Sequence, residues 1–191
     1  VDGAKVVRLR YPRVPVIGGL TMLTRLAWLL VHRRRDYSVV HVHIANNMAA
    51  VCCLIAPLLG KPVIVKLTGL TEMAGGVLAP RAGIVARLKK LAVRRAHYYQ
   101  ATSSQIGRML TAAGFRAQRI RQIPNAVDTR NFERRERDLP LREEWCGKAA
   151  RVAVYLGRLA PEKGVDLLLN AWADAFGGRD DVRPIVVGTG A

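Results

Sequence analysis

The feature that most constrains this chain is an alternation over its first 124 residues, where short valine-rich runs are spaced by longer segments of helical periodicity. Val39–His43 and Pro62–Leu67 (PVIVKL) are dense in β-branched residues and read as buried strands. Leu20–Arg34 places Leu23, Leu26, Ala27 and Leu30 at the i, i+3, i+4, i+7 spacing of one helix face. Lys5–Arg10, His97–Ala101 and Arg119–Ile123 read as further strands, and Asn46–Leu59, Pro80–Arg95 and Ser103–Ala113 as further helices. Strands spaced by helices imply parallel pairing through crossovers, hence an α/β fold.

A polar, charge-dense stretch from Asp128 to Lys148 interrupts this rhythm and reads as a linker with little core of its own. The pattern then restarts with a strand at Arg151–Leu156, a helix at Gly164–Phe176 and a strand at Arg183–Val187. The expected organisation is a Rossmann-like domain over 1–124, a linker over 125–150, and the start of a second Rossmann-like domain over 151–191. The chain opens on Val1 and stops at Ala191, just after a strand and a Gly-x-Gly turn. Both ends are therefore expected to be cut.

Charge is distributed unevenly. Residues 1–124 hold 20 Lys/Arg against 3 Asp/Glu, whereas residues 125–191 hold 11 of each. The whole excess of +17 lies in the first part and implies an anionic partner: a membrane face, a nucleic acid or a phosphorylated substrate. Aromatic residues are only 6% and do not interleave with the basic ones, which argues against nucleic acid. The longest apolar stretch, Met48–Gly60, contains Pro57 and falls short of the ~20 residues that cross a bilayer. Cys52, Cys53 and Cys146 form no disulfide framework, and the vicinal pair reads as small core residues, which fits a reducing cytoplasm.

The sharpest local signal is VYLGRLAPEKGVDLLLNAW, Val154 to Trp172. A strand runs into Gly157, a short basic loop follows, and a helix begins near Gly164. Ligands of open parallel sheets bind outside the carboxyl ends of strands, where helix N-termini favour phosphate. Arg158 offers a forked donor and Lys163 a point charge, so the two cations can meet one diphosphate. An ordinary strand–helix turn with two solvated basic residues has the same spacing.

With its flanking strand and helix, GRLAPEKG resembles the donor-binding loop of glycosyltransferase family 4. IPNAVDTRNF (Ile123 to Phe132) is similar to that family's inter-domain motif, with Ala126 where glycine is usual. YYQATSSQI (Tyr98 to Ile106), DYSVVHVH (Asp36 to His43) and the closing VVGTGA resemble three further family segments, and all five occur in the family's order. The resemblance implies a retaining enzyme of the GT-B fold, with the acceptor in the first Rossmann-like domain and the nucleotide-sugar in the second. It implies that Arg158 and Lys163 hold the donor diphosphate and act as the catalytic cations. Gly157, Gly188 and Gly190 would shape the donor site, and His43, Thr68, Gly69 and Asn125 would line the cleft. It implies no metal and no cofactor beyond the nucleotide-sugar, and an acceptor that is a glycan or lipid-linked.

Two departures stand out. Thr68-Gly69 occupies the place where many members have histidine and glycine, and threonine cannot act as a base near neutral pH. The paired glutamates and the first glycine-rich loop of the family fall outside the sequence, so this chain alone is not expected to turn over donor. His41 and His43, two apart on a strand, are expected to point to opposite faces and so to suit shared ligation poorly. The segment Pro80–Arg95 sets Arg81, Arg87, Lys89, Lys90, Arg94 and Arg95 beside an apolar face of Ile84, Val85, Leu88, Leu91 and Ala92. That pattern suits a peripheral helix at the anionic inner face of a membrane as well as a packed surface helix. The alternative to the enzyme is a non-catalytic basic module binding membrane or nucleic acid. An epimerase on the same fold is a third option.

Overall fold

The computed structural model describes residues 3, 5–69, 83–134, 136–147 and 151–190. The chain divides into two compact units, Val1–Val127 and Asp128–Ala191.

The first unit is a four-stranded parallel sheet in sequential order. Its strands are β1 (Val40–His43), β2 (Val63–Leu67), β3 (Tyr98–Ala101) and β4 (Ile120–Gln122), with helices α1 (Ile17–His32), α2 (Asn47–Leu58), α3 (Ile84–Val93) and α4 (Ser104–Ala112). Side chains alternate across a strand, so the register sorts the sheet into two faces. Val42, Val63, Val65, Leu67, Tyr99 and Ala101 form the buried face. His41, His43, Ile64, Lys66, Tyr98 and Gln100 occupy the other. The core is therefore one-sided among the described residues.

Helix α2 can lie close to that core because its inward residues are small: Ala49, Ala50, Cys52, Cys53 and Ala56 are all buried. The Asn46 side chain starts it by accepting from the Met48 and Ala49 amides at 2.9 and 3.3 Å. Ser103 starts α4 in the same way, accepting from the Ile106 amide at 3.3 Å. At the start of α1, Gly18 lies against the Pro12 carbonyl, where a Cβ would stand 2.2 Å from the oxygen.

The second unit holds α5 (Leu139–Cys146), the parallel pair β5 (Arg151–Leu156) and β6 (Val182–Val187), and α6 (Val165–Phe176) between them. Burial thins out here, and Val154 and Leu156 are 64% and 79% exposed.

One expectation differs. Lys5–Arg10 forms no strand: it is almost wholly exposed and joins no ladder among the described residues, its Arg10 carbonyl accepting instead from the Arg25 guanidinium. The stretch read as a linker with little core of its own contains a short helix, α5, which Asp138 caps by accepting from the Leu141 amide at 3.0 Å. Cys146 is buried at its end, and Arg183 of β6 donates to the Trp145 carbonyl at 3.3 Å. The start of the expected Pro80–Arg95 helix, with Arg81, lies outside the described residues; the helix is seen from Ile84.

Candidate functional site

The loop after β5 does not leave the sheet at once. The Gly157 amide donates to the Val187 carbonyl at 3.0 Å, and the Leu159 amide to the Thr189 carbonyl at 3.0 Å. A parallel bridge joins Leu159 to Gly190. The two segments expected to meet the donor, 157–164 and 188–190, are thus brought side by side by backbone bonding. Gly188 is needed for this approach: a Cβ there would stand 1.9 Å from the Gly157 oxygen. At Gly190 the nearest atom would be 3.7 Å away, an ordinary contact.

Beyond Leu159 the chain makes a 3-10 turn over Pro161–Lys163 and enters α6 through Gly164, whose φ of 61° is left-handed. No side chain caps α6, so its first amides are not taken by a capping residue. Arg158 and Lys163 are both exposed on this loop. The Lys163 ammonium makes no hydrogen bond or ion pair among the described residues, while its amide donates to the Ala160 carbonyl at 2.8 Å. Arg158 pairs with Glu162 through Nη2 and Oε1, both side chains more than half exposed. The Tyr155 hydroxyl donates to the Arg158 carbonyl at 3.3 Å. Sequence reasoning passed over Glu162, because the i, i+4 spacing that brings charges together on a helix carries no such signal in a loop.

The cleft-lining candidates of the first unit gather at the carboxyl edge of its sheet. His43 ends β1, Thr68 and Gly69 follow β2, and Asn125 lies just beyond β4. Thr102, after β3, donates to the Leu67 carbonyl at 3.1 Å and ties two of these strand ends together. Ile44, directly after His43, has φ 74°, a left-handed conformation rare for a β-branched residue. Nothing in the sequence flags it.

The histidine pair corrects an expectation. Strand alternation has period two, so residues two apart share a face. The His41 and His43 rings stand 4.7 Å apart. Burial, then the neighbouring His43 and Lys66, hold the His41 pKa below its ordinary value, against a hydrogen bond to Gln100 that raises it. Across the register His43 meets Lys66, Lys66 meets Gln100, and Gln100 meets Arg121, whose guanidinium lies 5.3 Å over the Tyr98 ring. This face is polar and cationic. Among the described residues no group of three or more His, Cys, Asp or Glu is placed to hold a metal.

A parallel α/β unit with a polar carboxyl edge, followed by a glycine-framed basic loop at a strand end, places both sets of candidate residues where open α/β sheets bind ligands. The family described as Glycosyl transferase 4-like domain matches residues 1–126, and the chain belongs to that family. It is 27% identical over 192 residues to a GDP-mannose-dependent alpha-mannosyltransferase of Mycolicibacterium smegmatis, covering 99% of this chain and 49% of that protein. The chain thus spans about half the length of this relative. Its fold matches that of Anabaena HepE, solved with UDP and glucose, with a TM-score of 0.71 and 20% identity over 95% of this chain and 47% of the other. A putative UDP-N-acetylglucosamine 2-epimerase from Listeria monocytogenes matches with a TM-score of 0.53 and 13% identity, over 93% of this chain and 47% of the other. The fold class is α/β of the GT-B type.

Proposed function

We propose that this chain is part of a glycosyltransferase that moves a sugar from a nucleotide-sugar to a glycan or lipid-linked acceptor of the cell envelope, with retention. The observation that carries the reading is the Gly157–Gly164 loop. It bears two exposed cations, lies against Gly188–Gly190 and ends at a helix start without a side-chain cap. The named relative uses GDP-mannose, and the Anabaena structure holds UDP and glucose. The chemistry common to such donors is a nucleoside diphosphate joined to a hexose.

As the bond from the sugar to the diphosphate breaks, negative charge grows on the departing phosphate. Arg158 and Lys163 stabilise that charge more than the ground state, which is how a preorganised cation lowers a barrier. Glu162 must release Arg158 for the forked donor to reach phosphate oxygens. His43, Thr68, Gly69 and Asn125 serve the acceptor side, and no metal or cofactor beyond the donor takes part. Calorimetric titration of the chain with GDP and UDP tests the grip. Binding should weaken at least about tenfold in R158A and in K163A, the scale of a lost charge-assisted bond. Unchanged affinity in both would sink the reading. An epimerase shares the fold, so product analysis with labelled donor separates transfer from epimerisation.

A second reading, membrane binding, is favoured by α3. Ile84, Leu88 and Leu91 are exposed at i, i+4, i+7 spacing, at 77%, 60% and 57%, and Arg87, Lys90 and Arg94 run beside them. No helix among the described residues is long and apolar enough to cross a membrane. An apolar stripe flanked by cations fits peripheral attachment to an anionic inner leaflet. L88E/L91E should abolish flotation with anionic vesicles, and flotation equal to that of the unaltered chain would exclude this face.

A further inference from the structure

A cavity of about 560 Å³ opens at the amino-terminal edge of the first sheet, lined by Arg94, Arg95, His97, Phe115, Arg116 and Arg119 among others. No acid lines it, and Asp36 is the sole Asp or Glu among the described residues of the first unit. The three ion pairs among the described residues all lie in the second unit. Four arginines therefore line one cavity without a counter-charge, and their summed positive field favours an anion there.

The donors are partly preorganised. Arg94 donates to the Ala113 carbonyl at 2.9 Å and lies 5.6 Å over the Phe115 ring. It passes through the space a side chain at Gly114 would fill, where a Cβ would be 2.6 Å from Nη2 and φ is +82°. Arg119 donates to the Ala96 carbonyl at 3.0 Å. Each bond fixes a guanidinium and leaves further N–H groups for a ligand. His97 accepts the Val63 amide at Nδ1, 3.1 Å away, which places the neutral ring's proton on Nε2 as a donor. The Arg95 and Arg116 side chains are exposed and make no hydrogen bond or ion pair among the described residues.

We propose that this cavity is a phosphate-binding site, taking a phosphate mono- or diester, independent of the diphosphate loop of the second unit. Two anchored forks, two free guanidiniums and an imidazole N–H match the several acceptor oxygens of one phosphate group. The group can come from free solute or from a lipid headgroup, since α3 leads its exposed apolar stripe directly into Arg94 and Arg95.

The test titrates the chain calorimetrically with inorganic phosphate and, separately, measures flotation with phosphatidylglycerol or phosphatidylcholine vesicles. R95A/R116A should weaken phosphate binding at least about tenfold. R34A/R35A, which removes the same charge elsewhere, and R158A should leave it unchanged. Loss of phosphatidylglycerol binding in R95A/R116A alone, with no affinity for free phosphate, assigns the same site to a headgroup. Equal losses in R95A/R116A and R34A/R35A, or no binding of either ligand, overturn the proposal. Should the double variant fail to fold by circular dichroism, R116Q alone carries the test, with at least a threefold loss expected and none overturning it. Because R158A reports on the diphosphate loop, failure of one site is distinguishable from failure of the other.

Discussion

Gly188 lies so close beneath the Gly157 carbonyl that a Cβ on it would stand 1.9 Å from the oxygen. The loop bearing Arg158 is held to the segment after β6 through this approach and through the Leu159 to Thr189 bond of 3.0 Å. G188A must push the two segments apart, and a forced backbone shift of this kind costs about 1–3 kcal/mol. The variant should lose thermal stability and bind nucleoside diphosphate at least about tenfold more weakly. G190A meets only an ordinary contact and should leave both unchanged. Melting curves and calorimetry on the pair separate a close-approach requirement from a general intolerance of side chains in this turn.

The Arg158–Glu162 pair leads to a second expectation. Both partners are more than half exposed, so the pair contributes little to folding, and E162Q should change stability by less than about 1 kcal/mol. The same substitution frees the guanidinium and removes a carboxylate that repels phosphate. Affinity for GDP or UDP should rise about two- to fivefold, the equivalent of an exposed pair's energy. A fall in affinity in E162Q would mean that Glu162 positions Arg158 rather than competing for it.

His41 makes stability depend on pH. Its folded pKa is depressed, first by burial and then by His43 and Lys66, so between the folded and unfolded values the unfolded chain binds more protons. Stability should therefore fall as pH drops from about 6.5, the ordinary histidine value, through the lowered folded one. Above that window His41 is neutral in both states and contributes no slope. K66M removes one source of the depression and should move the His41 imidazole midpoint upward in an NMR titration, flattening the melting temperature over the same range. A midpoint that does not move would assign the shift to burial and His43 rather than to Lys66.

Much of this architecture was legible in the residues because burial and periodicity are local. The valines of β1 and β2 and the small inward residues of α2 announce a parallel sheet, whereas the single covered face among the described residues emerges only from the register. The loop from Gly157 to Gly164 could be found because strand, glycine, cations and helix follow one another without a break. Helix α5 was hidden: it has eight residues, one of them buried, so its periodicity hardly rises above its charge. The close approach of Gly188 to Gly157 is tertiary and leaves no mark in spacing. The histidine pair was readable and was misread, since a period of two puts His41 and His43 on one face.

Ile44 supports a last expectation. Its φ of 74° places a β-branched side chain in the left-handed region, which costs roughly 1–2 kcal/mol for an L-residue. The conformation is held by the Ile44 amide, which donates to the Lys66 carbonyl at 3.0 Å, and by the Asn46 amide, which donates to the Ile44 carbonyl at 3.0 Å. These bonds turn the chain sharply from β1 into α2 and leave His43 at the strand's end. Asparagine tolerates this region better, and Ile44 is 46% exposed, so I44N gives up only part of a buried side chain. The net expectation is a stabilisation of about 0.5–1 kcal/mol, read as a rise of a few degrees in melting temperature. I44V keeps the branching and should gain nothing. If I44N instead destabilises, the side chain's packing outweighs the backbone strain, and the turn after His43 is held by contacts rather than by its two amide bonds.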